Sequence, residues 1–179
     1  FLGKEQWQTL SSDFLDRQAD ALSFLSEAGL RFFLPAYLIA DLNDELLAAD
    51  PLFCVTHGFY DLSITHQTPG GEFIRRTGKT AFVNPRRYGA LTFFDYARYR
   101  LSVFNRQEAA AIVSYLTYKK EQDSQASNVA SIEAALSLFW LERAQQAPTA
   151  MALERYVANE QAYLVAIRRP PAEPSSSQA

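Results

Sequence analysis

The chain has 179 residues, of which 48% are hydrophobic and 13% aromatic, with a formal net charge of −3. Such a length and apolar content belong to a globular domain with a proper core, and they exclude a disordered or collagen-like chain. A single cysteine, Cys54, excludes an internal disulfide framework and suits a reducing compartment.

The charge is unevenly distributed. Residues 1–69 carry three basic and ten acidic side chains, whereas residues 70–106 carry eight basic and two acidic ones. Segregation of this kind marks either a basic patch or a basic segment packed on acidic neighbours. A pI of about 5.4 argues against a dedicated nucleic-acid protein. Neither a signal peptide nor a run long and apolar enough for a bilayer is visible, so no membrane partner and a cytoplasmic location are expected. The chain begins at Phe1 without a methionine, which leaves residues upstream open.

Trp7 and Leu10 form an apolar pair suited to docking on a core. Ser12–Leu25 has the period of a helix, with Phe14, Leu15, Ala19, Leu22 and Leu25 inward and Ser23–Ser26 as the following turn. Leu22–Leu42 is the densest apolar block. Ser26 is a suitable N-cap there, and Leu30, Phe33, Leu34, Tyr37, Leu38 and Leu42 recur at spacings of three and four, widened by Phe32 and Ile39. Such a helix belongs at the centre of the fold. Pro35 predicts a kink near Arg31–Pro35 or two helices meeting there, and the helix is expected to continue through Asn43–Ala49 until Pro51 stops it.

Between Phe53 and Thr92 the helical period is lost. Thr68-Pro69-Gly70-Gly71 is a turn signal, and Glu72–Thr77 and Lys79–Val83 have the composition of short strands. A stretch of this length is unusual in a compact domain, which makes it the first place to look for a site. Thr92 with Asp95 starts a short helix over Phe93–Val103. Asn105 and Glu108 make a capping box for the next, with Ala109, Ile112, Val113, Tyr115 and Leu116 inward and Lys119 and Lys120 in its last turn. After a polar linker over Glu121–Asn128, capped at Ser127 or Asn128, a helix is expected over Val129–Gln146, and another over Ala150–Ile167 after Pro148. The Pro/Ser-rich end reads as disordered.

The segments LSFLSEAGLRFFLPAYL, FNRQEAAAIVSYLTY and IEAALSLFW resemble a family of uncharacterised bacterial proteins, a domain of unknown function with LSFLSPEAFRYYLPAY-like and LTxxQxxAIxxFL-like segments. The likeness covers Leu22–Ile39 and Phe104–Tyr118, with a looser echo at Ile132–Trp140. Glu27-Ala28 stands where the family has Pro-Glu, and Phe104-Asn105 where it has Leu-Thr. The shared positions are apolar and structural, so the resemblance implies a fold and carries no activity.

Candidate chemistry is sparse. Cys54, His57 and His66 lie close together with Asp61 between them, but a zinc site needs a third and usually a fourth ligand, and the chain has two histidines and one cysteine. The same residues are the only basis for a metal- or Cys/His-dependent enzyme. Gly70-Gly71 followed by Arg75, Arg76 and Lys79 lacks the spacing of a phosphate loop. Arg86-Arg87-Tyr88 and Arg98-Tyr99-Arg100 interleave cations with aromatics as single-strand binders do, although Tyr96 and Tyr99 are expected in the core. The carboxylates Asp41, Asp44 and Glu45 read as the exposed end of the central helix, and Glu154 and Glu160 as a second acidic pair.

The expectation is a mainly α fold, a helical bundle of about five or six helices with a small β or irregular insert at about 53–92. One globular domain over 1–169 is expected, with a disordered tail over 170–179. The leading function is a non-catalytic bacterial protein-interaction module, with neither catalytic residues, nor metal, nor cofactor, that uses the acidic N-terminal half, the basic segment or both to bind another protein. The alternative is anion or nucleic-acid binding through Arg75, Arg76, Lys79, Arg86 and Arg87.

Overall fold

A computed structural model describes residues 7–60, 63–76 and 92–168. A short 3₁₀ turn at Trp7–Thr9 leads into α1 (Ser12–Arg17), α2 (Ala21–Phe24), α3 (Glu27–Leu42) and α4 (Pro51–Thr56). A hairpin of β1 (Ser63–Thr68) and β2 (Gly71–Arg76) comes after them, then α5 (Phe93–Leu101) and α6 (Arg106–Gln122). Next come α7 (Ala126–Ala135), a π-helical segment (Leu136–Trp140) and α8 (Leu141–Gln146), and last α9 (Ala150–Arg168). The fold is mainly α, as expected, though its N-terminal half is divided into more and shorter helices than the periodicity predicts.

α3 is one continuous helix despite Pro35. Ser26 caps it by accepting from the Gly29 amide at 3.2 Å. Leu30, Leu34 and Tyr37 are buried on its inner face, and the Tyr37 hydroxyl donates to the carbonyls of Leu15 and Gln18, at 3.3 and 2.9 Å. Ile39, expected to widen the buried stripe, is 50% exposed. The predicted single helix over 12–25 is instead two short ones, because the chain turns at Gln18–Asp20 to bring those carbonyls to Tyr37.

The predicted run through Asn43–Ala49 is overturned. α3 stops at Leu42, where Asp44 takes a left-handed conformation (φ 56°). The Glu45 amide donates back to the Ala40 carbonyl at 2.9 Å and the Asp44 amide to Asp41 at 3.1 Å, the bonding pattern of a Schellman stop. The loop beyond is held from α1. The Asp16 carboxylate accepts from the amides of Leu47, Ala48 and Ala49 at 2.7, 3.1 and 3.0 Å, and these three donors hold its carboxyl below the usual range. Pro51, expected to end a helix, occupies the first turn of α4, with Asp50 as N-cap accepting from Phe53.

The insert expected at 53–92 therefore begins as helix. Its β part is an antiparallel hairpin with Ser63 paired to Arg76 and Thr68 to Gly71, and the turn lies at Pro69–Gly70 as the composition predicts. The strand expected at Lys79–Val83 lies outside the described residues.

The capping box at Asn105 is present. Its side chain accepts from the Gln107 and Glu108 amides, and Glu108 accepts from the Asn105 amide at 2.8 Å. Glu108 also receives Arg31 Nε at 2.9 Å on both carboxylate oxygens, tying α6 to α3. α6 buries Ala109, Ile112, Tyr115 and Leu116. The linker before α7 is shorter than predicted, and Asn128 sits inside α7, donating to Asp123 at 2.8 Å, so it is not the cap.

The π-helical segment turns two adjacent aromatics inward together. Phe139 stacks on Phe59 with centroids 5.5 Å apart, Trp140 lies 5.9 Å from Phe104, and the Trp140 indole donates to the Val55 carbonyl at 2.8 Å. Two compact units result, divided between Ala147 and Pro148. The buried cluster running from Leu15 to Trp140 belongs entirely to the first. The second contains α9.

Candidate functional site

The predicted cationic set is only partly described. Arg75 and Arg76 occupy the end of β2, in register with Ile64 and Ser63, while Lys79, Arg86 and Arg87 lie outside the described residues. His66 sits on β1 paired with Phe73, and Asp61 is outside the described residues. Among the described residues no group of three or more His, Cys, Asp and Glu side chains is placed to hold a metal ion.

Cys54 and His57, by contrast, line one cleft of about 210 Å³ between α4 and α5. Its walls are apolar and aromatic, from Phe53, Phe93, Ala97 and Leu101, with Arg100 and Ser23 also lining it. The positions are set by helical geometry. Phe53 and His57 are four apart and stack with centroids 4.5 Å apart, and Phe93 meets the imidazole edge-on at 5.4 Å. Burial pushes the Cys54 thiol up to about 11, partly offset by the nearby Arg100, and burial lowers the His57 pKa. Both groups are thus uncharged near neutrality. A catalytic cysteine needs the opposite, a thiolate stabilised by its surroundings.

A second, polar cleft of about 440 Å³ lies along α5 and α8, lined by Asp95, Arg98, Tyr99, Glu142 and Arg143 among others. Several of its charged groups are already engaged. Arg143 donates from Nε and Nη2 to the Phe104 carbonyl, at 2.9 and 2.7 Å, and from Nη2 to Ser102. Arg98 lies 5.5 Å over the Phe94 ring, and Asp95 accepts from the Thr92 hydroxyl at 2.9 Å. Tyr99, expected in the core, is 39% exposed.

Arg98, Tyr99 and Arg100 therefore do not act as one group. Successive helical positions point about 100° apart, so Arg98 and Tyr99 line the polar cleft and Arg100 the apolar one. Grouping Arg100 with Arg98 and Tyr99 by proximity in sequence separates it from Cys54 and His57, with which it lines a cleft, although the helical period of α5 contains the signal. The acidic cluster also divides. Asp41, expected at an exposed end, accepts from the Tyr115 hydroxyl at 2.6 Å and from Lys119 at 3.0 Å, and burial together with Asp41 raises the Tyr115 pKa.

A further surface feature is α9. Met151 is 81% exposed, Val165 69%, Tyr163 65% and Ile167 59%. Tyr156, Tyr163 and Ile167, spaced by seven and four, lie on one stripe of the helix, and all three are exposed. No helix among the described residues is long and apolar enough to cross a membrane. Compared with protein-family models, with curated proteins and with solved structures, the chain has no significant match.

Proposed function

We propose that this protein is a non-catalytic, cytoplasmic interaction module that presents α9 to a partner protein bearing an apolar groove, and that it belongs with the bacterial family its Leu22–Ile39 and Phe104–Tyr118 segments resemble. The observation that supports the reading is the exposed stripe of Tyr156, Tyr163 and Ile167 on a helix of 19 residues. Anchors repeating at helical spacing on one face are the recognition pattern of a helix laid into a groove, and aromatic anchors carry most of the energy of such contacts. An uncharged Cys54 and His57 favour this reading over Cys/His catalysis.

The test is affinity capture from a native lysate with the wild-type chain and with a Tyr163→Ala/Ile167→Ala variant whose unfolding transition matches wild type. The expected result is a partner recovered at stoichiometric yield, resistant to nuclease, and lost with the variant. Recovery that is equal for both chains would overturn the role of α9. Nucleic acid recovered only at low salt, and lost when Arg75 and Arg76 become alanine, would instead establish the anion-binding alternative.

A further inference from the structure

We propose that the cleft between α4 and α5 is a binding site for a small monocarboxylate with an aromatic or branched apolar body, whose carboxylate is received by Arg100. This site is distinct from α9 and independent of the interaction reading.

Size sets the first limit. An apolar cavity of about 150 Å³ suffices for benzene, and this cleft, at about 210 Å³, has room for one ring and a short acidic arm. It is smaller than the pockets that take drug-sized ligands, roughly 300–1,000 Å³.

The walls set shape and chemistry. Phe53 stacks on the imidazole of His57 and Phe93 meets it edge-on, so the cleft already holds an aromatic surface against which a further ring can pack. Ala97 and Leu101, both buried, form the apolar floor.

Charge selects the ligand. Among the described residues lining the cleft, Arg100 is the only cation and none is a carboxylate. Asp50, the acid that reaches Cys54 through its field, has an oxygen engaged by the Phe53 amide as the N-cap of α4. Arg100 is half-buried and donates through Nη2 to the Leu22 carbonyl. It makes no ion pair within 4.0 Å among the described residues. A guanidinium has five N–H donors in a planar fork, and carboxylate geometry matches two of them at once. A half-buried arginine facing apolar walls without an acidic partner is the arrangement that gains most from an anion carrying its own apolar body.

The lone cysteine supplies a reporter at the site itself. With Cys54 lining the cleft and no other cysteine in the chain, the rate of thiol modification by methyl methanethiosulfonate at mildly alkaline pH reads occupancy directly. Sodium phenylacetate is the probe, compared with phenylacetamide, which keeps the ring and removes the charge, and phenethylamine, which reverses it. Phenylacetate is expected to slow Cys54 modification saturably, with a midpoint on the order of 0.1–1 mM for a ligand of about ten heavy atoms. The amide and the amine should be weaker by about tenfold or more, the loss of one charge-assisted hydrogen bond. Arg100→Gln keeps a donor for the Leu22 carbonyl and removes the charge. It should weaken phenylacetate by about tenfold and leave phenylacetamide unchanged. The proposal is overturned if saturating phenylacetate leaves the Cys54 rate unchanged, if the amide protects as well as the acid, or if folded Arg100→Gln binds phenylacetate as wild type does. The comparison of acid with amide uses the unaltered protein, so it decides the role of charge even if the variant does not fold.

Discussion

Gly58 occupies a left-handed conformation (φ +94°) directly after α4, and a Cβ there would stand 2.7 Å from the backbone carbonyl of Phe93. Both the dihedral and the approach to backbone exclude a side chain. Gly58→Ala is expected to cost on the order of 1–3 kcal/mol, measured by urea unfolding, with the midpoint lowered and the slope unchanged. His57 beside it gives a pH signature. Burial lowers its folded pKa below the ordinary 6.5, so the native state holds the imidazole neutral. As pH falls below about 6.5 the unfolded chain takes up a proton that the native one refuses, and stability declines until the native imidazole titrates as well. His57→Phe keeps an aromatic against Phe53 and removes the titration. Between about pH 6.5 and 5 the variant's stability should fall less steeply than wild type, in a window above that of the carboxylates. Equal slopes for both chains would show that His57 is not the group responsible.

At the scale of elements, the caps of α3 and α6 and the end of α8 were legible, whereas the starts of α4 and α7 and the end of α3 were not. Ser26 and Asn105 cap as their side chains predict, because an N-cap needs only a local acceptor for nearby amides. The end of α3 carries no glycine signal. It is made by Asp44 in the left-handed region and by Asp16, whose carboxylate reaches three amides more than thirty positions away. Asp44→Gly relieves the left-handed strain and is expected to stabilise the protein by up to about 1 kcal/mol, seen as a raised Tm with the fold unchanged. Destabilisation by this change would mean that the Asp44 side chain contributes more than its backbone strain costs. The π-helical segment belongs here too. Phe139 and Trp140 are neighbours in sequence, and a regular helix separates them by about 100°. Only the surrounding aromatics, Phe59 on one side and Phe104 on the other, explain why both turn inward.

For the whole molecule, the buried cluster closes within the first unit, from Leu15 to Trp140. A chain ended at Ala147 is therefore expected to keep one cooperative urea transition and the near-UV circular dichroism of its buried tryptophan, while losing any partner of the kind proposed for α9. A truncated chain without a cooperative transition would show that the first unit depends on the residues beyond Ala147. Charge behaves differently from apolar pattern at this scale. Among the described residues the ion pairs join Arg31 to Glu108, Lys119 to Asp41 and Lys120 to Glu133, and none of them engages a cation of the basic segment 70–106.

Composition and periodicity alone determined the fold class, the central place of α3 and α6, their N-caps, and the turn of the β-hairpin. Each of these depends on residues within about one helical turn or one hairpin of each other. Tertiary structure decided where α3 ends, that Pro51 begins a helix, that Asp41 is paired through Tyr115 and Lys119, and that Arg100 joins Cys54 and His57 while Arg98 and Tyr99 turn away. These outcomes rest on partners far apart in the chain, and no local pattern encodes which long-range partner a side chain will meet.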